Sequence, residues 1–264
     1  MLYISFTCLP SRYENLPHVL AGIQEQTIIP DVVIIQYPKQ CLRMNTPYKD
    51  IQHLLQNQYK FRLVINYTND YGPMTKLYPL INMNLKPDDL IIIIDDDNKY
   101  NPLLFECLLK NFLHAEQKKC ICMSGLIYPT SLDFPYYCSR GGNETQIMEA
   151  AFGYIIKRSF LDDDFHKWVP QFNSYDDVKK ASWENSFLSD DFVFSKYLDT
   201  KNIAKQVAYF HPLVEKNNVF MKSTCNSNDA LSATGHNLDK YFYSTYELEK
   251  KALISATITV DRNS

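Results

Sequence analysis

Glycine is scarce in this chain, with seven in 264 residues, and none falls in G-x-G-x-x-G or G-x-x-x-x-G-K. Those spacings let a backbone cradle phosphates, so their absence excludes the dinucleotide-binding Rossmann and P-loop readings. G-x-S-x-G and H-E-x-x-H are missing too, which removes the commonest serine-hydrolase and zincin signatures. No C-x-x-C pair occurs. The seven cysteines (8, 41, 107, 120, 122, 138 and 225) are odd in number and lie largely in apolar segments, so reduced structural thiols are expected. No apolar run approaches the roughly 18 residues of a membrane helix, and MLYISFTCLP lacks a basic segment before an apolar stretch. A soluble, cytoplasmic protein with no transmembrane segment is the expectation. The net charge is −3 and no dense Lys/Arg run is present, which argues against nucleic acid as a partner.

What is present suits one large α/β domain: 45% of residues are hydrophobic and 22% charged, near the averages of soluble proteins. Leu2 to Phe6 reads as a short strand, followed by a helix from Tyr13 to Gln26 with Leu16, Val19, Leu20 and Ile23 on one face. Val32 to Ile35 and Phe61 to Asn66 read as further strands, with helices expected at about 48–58 and from about Met74 to Met83. Leu90 to Ile94 is five aliphatics in a row. Such a run needs burial on both faces, as in a central parallel strand covered by helices on each side. A helix from about Pro102 to His114 and strands at Cys120–Ser124 and Ala151–Ile156 follow. Ser189 to Leu198 reads as a capped helix, and an amphipathic helix is expected from about Leu238 to Leu253.

Asp95, Asp96 and Asp97 come directly after that buried strand. In open α/β sheets ligands bind outside the carboxyl ends of strands. Three adjacent carboxylates repel one another unless a cation shares them, and Mg²⁺ or Mn²⁺ takes oxygen ligands from carboxylates and substrate phosphates. The plainer alternative is a solvated turn before the next helix. Asp162, Asp163 and Asp164 make an internal control, because they follow Ser159-Phe160-Leu161 rather than a buried strand and read as a surface turn.

Several segments together resemble GT-A glycosyltransferases of the family 2 type. They are Val19-Leu-Ala-Gly-Ile-Gln-Glu-Gln-Thr-Ile-Ile-Pro30, Phe6-Thr-Cys-Leu-Pro-Ser-Arg12, Asp70-Tyr-Gly-Pro-Met-Thr-Lys76, Asp95-Asp-Asp97, Ala151-Phe-Gly-Tyr154, Ser189-Asp-Asp191 and Asp229 to Leu238. Their order is similar to that in compact enzymes of large DNA viruses and bacterial glycan clusters. The resemblance implies a GT-A (Rossmann-like) α/β fold with a mixed, mainly parallel central sheet flanked by helices and a C-terminal helical tail. It also implies one catalytic domain over residues 1–264, with a nucleotide-binding half at 1–125, an acceptor-binding half at 126–210, and a C-terminal loop and helix at 211–264. Where many family 2 enzymes carry Asp-Asp-Gly-Ser after strand two, this chain has Gln36-Tyr37-Pro38.

The implied activity is metal-dependent transfer of a sugar from a nucleoside-diphosphate sugar, a UDP-sugar first, to a hydroxyl of an oligosaccharide or glycoprotein glycan, with inversion. Residue by residue, the resemblance makes Asp97 a ligand of Mn²⁺ (or Mg²⁺), with Asp95 on the metal or the ribose and His211 or His236 as a late histidine ligand. Thr7, Arg12, Asp70, Lys76, Asp95 and Asp96 are the expected nucleotide contacts. Asp191, then Asp190, is the expected base, and Glu149, Phe152 and Gly153 are the expected acceptor side. Trp168, Trp183, Tyr136 and Tyr137 are candidates for a sugar-stacking platform or for the core. Two other classes remain open: a nucleotidyltransferase that makes a sugar nucleotide, and a non-catalytic glycan-binding protein of the same fold.

Overall fold

The computed structural model describes residues 1–127, 137–138, 141–209, 221–223 and 247–251, with the backbone alone at 137–138 and 221–223. Its main sheet has seven strands: β1 (Leu2–Phe6), β2 (Val32–Pro38), β3 (Arg62–Thr68), β4 (Leu90–Ile93), β5 (Cys120–Cys122), β6 (Tyr154–Lys157) and β7 (Lys205–Val207). Their spatial order is β7-β5-β6-β4-β1-β2-β3. β6 runs antiparallel to both of its neighbours, and the remaining pairings are parallel. This is a mixed, mainly parallel sheet, as the resemblance led one to expect.

Side chains alternate across the sheet with the period of two that strands impose. Ile4, Phe6, Val33, Ile35 and Ile92 face one layer, where helices α1 (Leu16–Gln24) and α2 (Leu104–His114) supply Leu20, Ile23, Phe105 and Phe112. Tyr3, Val32, Ile34, Ile91 and Ile93 face the other. That second layer holds the 74–83 turns and three further helices: α3 (Tyr175–Lys180), α4 (Glu184–Phe187) and α5 (Asp190–Thr200). The five consecutive aliphatics fit this arrangement because β4 is covered on both faces; Ile91 through Ile94 are all inaccessible to solvent.

Several elements differ from expectation for local reasons. The 74–83 stretch forms two 3₁₀ turns, Met74–Lys76 and Tyr78–Asn82, instead of one helix. Pro79 lacks an N–H and its ring would meet the carbonyl four residues back, so a continuous α-helix cannot run through it. The 48–58 region holds only a 3₁₀ turn, Gln52–Gln56, and the helix begun at Tyr13 is a 3₁₀ turn, Pro10–Asn15, running into α1 at Leu16. The strand expected from Ala151 begins at Tyr154, because Ala150–Phe152 is a 3₁₀ turn ended by Gly153 at φ +87°. Ser189 stands at the N-cap of α5, but its side chain makes no cap hydrogen bond. Of the expected tail helix, residues 247–250 are described and are helical.

Candidate active site

β1 and β4 are neighbours, yet the chain leaves β1 toward β2 on one side and reaches β4 on the other. Crossovers therefore diverge at this point, and the region outside the carboxyl ends of the two strands is where open α/β sheets form their ligand-binding crevice. The 3₁₀ turn after β1, Pro10–Asn15, lines one wall, and the Asp95–Asp97 loop after β4 lines the other.

Two buried cations hold this crevice together. The Arg12 guanidinium bridges Asp96 Oδ1 at 2.8 Å and Asp97 Oδ2 at 2.9 Å. Lys76 Nζ bridges Asp95 Oδ1 at 2.6 Å and Asp190 Oδ2 at 2.8 Å. Lys76 is only 3% exposed, so it is no solvated surface lysine. Burial favours the neutral amine, but the charges of Asp190, Asp95 and Asp191 outweigh it and hold the Lys76 ammonium well above the ordinary lysine range. Its backbone is pinned from beneath, where Ser5 Oγ donates to the Lys76 carbonyl at 2.6 Å. Gln36 Nε2 donates to Ser5 Oγ, and Asn66 Nδ2 donates to Gln36 Oε1 at 2.6 Å. Gln36, where family 2 enzymes often place an acidic loop, is therefore part of a buried ladder across three strands.

Asp96 is the most enclosed member of the triplet. Its carboxylate accepts from the Leu9 N–H at 3.2 Å as well as from Arg12, and Asn15 Nδ2 donates to its backbone carbonyl. Burial pushes the Asp96 carboxyl up to about 6; Arg12 opposes the rise, while the charges of Asp97 and Asp95 add to it. The same pairing raises the Arg12 guanidinium against its own burial. The two directions are compatible, since three clustered carboxylates stabilise the cation more than one guanidinium relieves their crowding. Asp97 is raised as well, by burial and by the charge of Asp95, with Arg12 working against it.

The base candidates stand differently. Asp190 is buried and committed to Lys76, whereas Asp191 is half-buried and accepts the Ala150 N–H at 3.0 Å. Glu149, one residue before Ala150, accepts from Ser124 Oγ at 2.5 Å. The β4 loop is tied to this same segment. Tyr100 Oη receives the Asp95 N–H at 2.9 Å and donates to the Ala151 carbonyl at 3.2 Å, and Asn98 Nδ2 donates to Asp97 Oδ1 at 2.8 Å and to the Ala151 carbonyl at 3.3 Å. Asn15, Asn98, Tyr100 and Ser124 were not singled out from the sequence.

The other expected contacts are placed as follows. Thr7 Oγ1 donates to the Gln36 carbonyl at 2.8 Å, at the mouth of the crevice. Asp70 is buried and already accepts from the Leu42 N–H at 2.6 Å and the Gly72 N–H at 2.8 Å, the arrangement of an Asp-initiated turn. Phe152 is half-buried, and Gly153 is buried against Leu104 and Ile94, so its positive φ and its packing account for the glycine. Trp168 and Trp183 are core residues rather than an exposed platform. Asp162 and Asp164 pair with Lys201 and Lys167 at the surface, as a plain turn would. His211, His236, Tyr136, the Tyr137 side chain and the 229–238 motif lie outside the described residues.

Among the described residues no three His, Cys, Asp or Glu side chains converge as a preformed metal cage. Four carboxylates nonetheless share two cations here, leaving a formal excess of two negative charges. Hard oxygen donors with that charge fit Mg²⁺ or Mn²⁺ held by one or two carboxylates together with substrate phosphates.

No protein-family model matches the chain, and no curated protein matches it in sequence. Comparison of whole structures does find a counterpart. The chain shares its fold with TarS of S. aureus. The crystal structure of TarS residues 1–349 in complex with UDP-GlcNAc superposes with a TM-score of 0.53 at 11% identity, covering 97% of this chain and 67% of the other. A further crystal structure of TarS 1–349 gives 0.48 at 11% identity over 99% and 76% of the two chains. A 4-diphosphocytidyl-2C-methyl-D-erythritol synthase gives 0.47 at 8% identity over 86% and 93%. The match to TarS extends over nearly the whole of this chain and establishes the fold; the viral and bacterial-cluster resemblance gains no sequence relative.

Proposed function

We propose that this chain is a glycosyltransferase that moves a sugar from a nucleoside-diphosphate sugar, a UDP-sugar, to a glycan hydroxyl with inversion, using Mn²⁺ or Mg²⁺. The observation that carries the reading is the pairing of Asp95 at the end of β4 with Asp190 at the start of α5 through the single ammonium of Lys76. It brings the candidate donor-phosphate end of the sheet and the candidate base to one point at the switch of the fold. The complex of TarS with UDP-GlcNAc supports a sugar nucleotide as the donor class.

In this reading residues 1–125 supply the nucleotide side and residues 126–210 the acceptor side. Asp97 and Asp95 would hold the metal, which supplies Lewis-acid stabilisation of the departing diphosphate. Thr7, Arg12, Asp70 and Asp96 shape the wall beside the nucleotide. Asp191 is the preferred base, because it is half-buried at the start of α5, while the buried Asp190 beside it is neutralised by Lys76. The acceptor oxygen attacks the anomeric carbon, the bond to the β-phosphate oxygen breaks and leaves the nucleoside diphosphate, and Asp191 takes the hydroxyl proton. Glu149, Phe152 and Gly153 border the acceptor side.

A panel of UDP- and GDP-sugars, incubated with the protein and Mn²⁺, tests this. Metal-dependent release of a nucleoside diphosphate from one of them is expected. Release of pyrophosphate from a nucleoside triphosphate and a sugar phosphate would instead mark a nucleotidyltransferase. No reaction together with no binding of UDP would end the proposal.

A further inference from the structure

Each of the two buried cations in the crevice straddles two carboxylates. Arg12 spans Asp96 and Asp97, and Lys76 spans Asp95 and Asp190. The two carboxylates best suited to a divalent cation, Asp95 and Asp97, are thus each occupied by a side-chain cation. Those same cations, one guanidinium with a planar fork and one compact ammonium, are the groups a diphosphate would recruit. One set of charges cannot satisfy both partners at full strength. Lys76 Nζ lies 2.6 Å from Asp95 Oδ1 and the Arg12 guanidinium 2.9 Å from Asp97 Oδ2, so one oxygen of each carboxylate already has a cationic partner that a metal would have to share or displace.

We infer that Lys76 and Arg12 are internal counter-ions that compete with the divalent cation for Asp95 and Asp97 and are handed to the diphosphate when the sugar nucleotide binds. The inference rests on the proposed donor class and adds a regulatory property to it: metal alone binds weakly, and nucleotide relieves the competition. Coupling of this kind is reciprocal, so whatever the nucleotide gains from the metal, the metal gains from the nucleotide. The advantage to the protein is that the two cations offset half of the charge of the carboxylates at 95, 96, 97 and 190 without ligand, which lowers the cost of burying an anionic cluster.

The signs of two binding constants separate this from a merely structural role. Lys76→Met keeps the apolar stem and removes the charge, and Lys157→Met is the control, since Lys157 pairs with Asp88 on the surface. Calorimetric titration of Mn²⁺ without nucleotide is expected to show at least about fivefold tighter binding in Lys76→Met than in the wild type. UDP is expected to bind more weakly to the same variant, and Lys157→Met should change neither. Equal tightening in the control, or an unchanged Mn²⁺ affinity in Lys76→Met, overturns the inference. Should Lys76→Met not fold, the wild type decides: titration with diamagnetic Mg²⁺ should shift the Lys76 ammonium ¹H–¹⁵N resonance and speed its hydrogen exchange. A resonance unmoved at saturating Mg²⁺ contradicts the competition. A wild type that binds neither Mn²⁺ nor UDP removes the donor reading and this inference together, whereas binding of both without dependence on Lys76 removes this inference alone.

Discussion

At the scale of single residues, the crowding of carboxylates makes the sharpest predictions. Asp96 is held near 6 by burial, well above the roughly 3.9 of an Asp in an unfolded chain. The folded protein therefore binds this proton more tightly, and the contribution of Asp96 to stability falls as pH rises from about 4 to about 6. A ¹³C titration of the Asp96 carboxyl is expected to show a midpoint near 6; a midpoint below about 4 would contradict the burial and clustering described. Asp191→Asn should lower kcat by about 10²–10⁴-fold while leaving UDP affinity within a few-fold, as the loss of a general base does. An Asp191→Asn enzyme with full kcat would move the base to another carboxylate. The triplet could be read from sequence because five aliphatics precede it, whereas Lys76 entered only through the resemblance, as an expected nucleotide contact, and its burial between two carboxylates was not legible. Nothing local to Met74-Thr75-Lys76 tells that the ammonium is buried between β4 and α5; only the tertiary approach of Asp95 and Asp190, 19 and 114 positions away in sequence, reveals it.

At the scale of elements, the site depends on how short pieces are stapled together. Helix α4 has four residues, too few to be stable by itself. Its start is held by Glu247 from the distant C-terminal segment, which accepts from the Asn185 N–H at 3.1 Å, the Asn185 side chain at 2.8 Å and the Ser186 N–H at 2.8 Å. Asp190 begins α5 a few residues later, so the staple also bears on the candidate base. Glu247→Ala is expected to cost about 1–3 kcal/mol by leaving buried donors unsatisfied, seen as a lower Tm and faster amide exchange at Asn185 and Ser186. Unchanged exchange at those amides would show that the staple is unimportant. Strand positions were legible in sequence because β-prone apolar runs are short-range signals, and so was the end of β4. The stretch 74–83 reads as one helix from its apolar period of three to four, which describes 3₁₀ turns almost equally well, although Pro79 is the signal in the sequence that breaks it.

At the scale of the whole molecule, the strand order and the single antiparallel β6 place the Asp triplet, the β1 loop and the start of α5 around one crevice. The alternation of strands and helices in the first half was visible as periodicity, so the parallel part of the sheet was legible. In the mixed second half the strand near 151–156 and the helix at 189–198 were legible, but the antiparallel pairing of Tyr154–Lys157 with β4, which joins that half to the site, comes from strand pairing that no local pattern encodes. The central claim is that this crevice binds a nucleoside diphosphate with a divalent cation. Titration of UDP into the isotope-labelled protein, with and without Mg²⁺, tests it most directly. The account predicts shifts confined to Thr7–Arg12, Gln36–Pro38, Asp70–Lys76, Asp95–Asn98 and Asp190–Asp191, larger with Mg²⁺ and much reduced in Asp97→Ala. Shifts elsewhere on the molecule, or none at millimolar UDP with Mg²⁺, would contradict it.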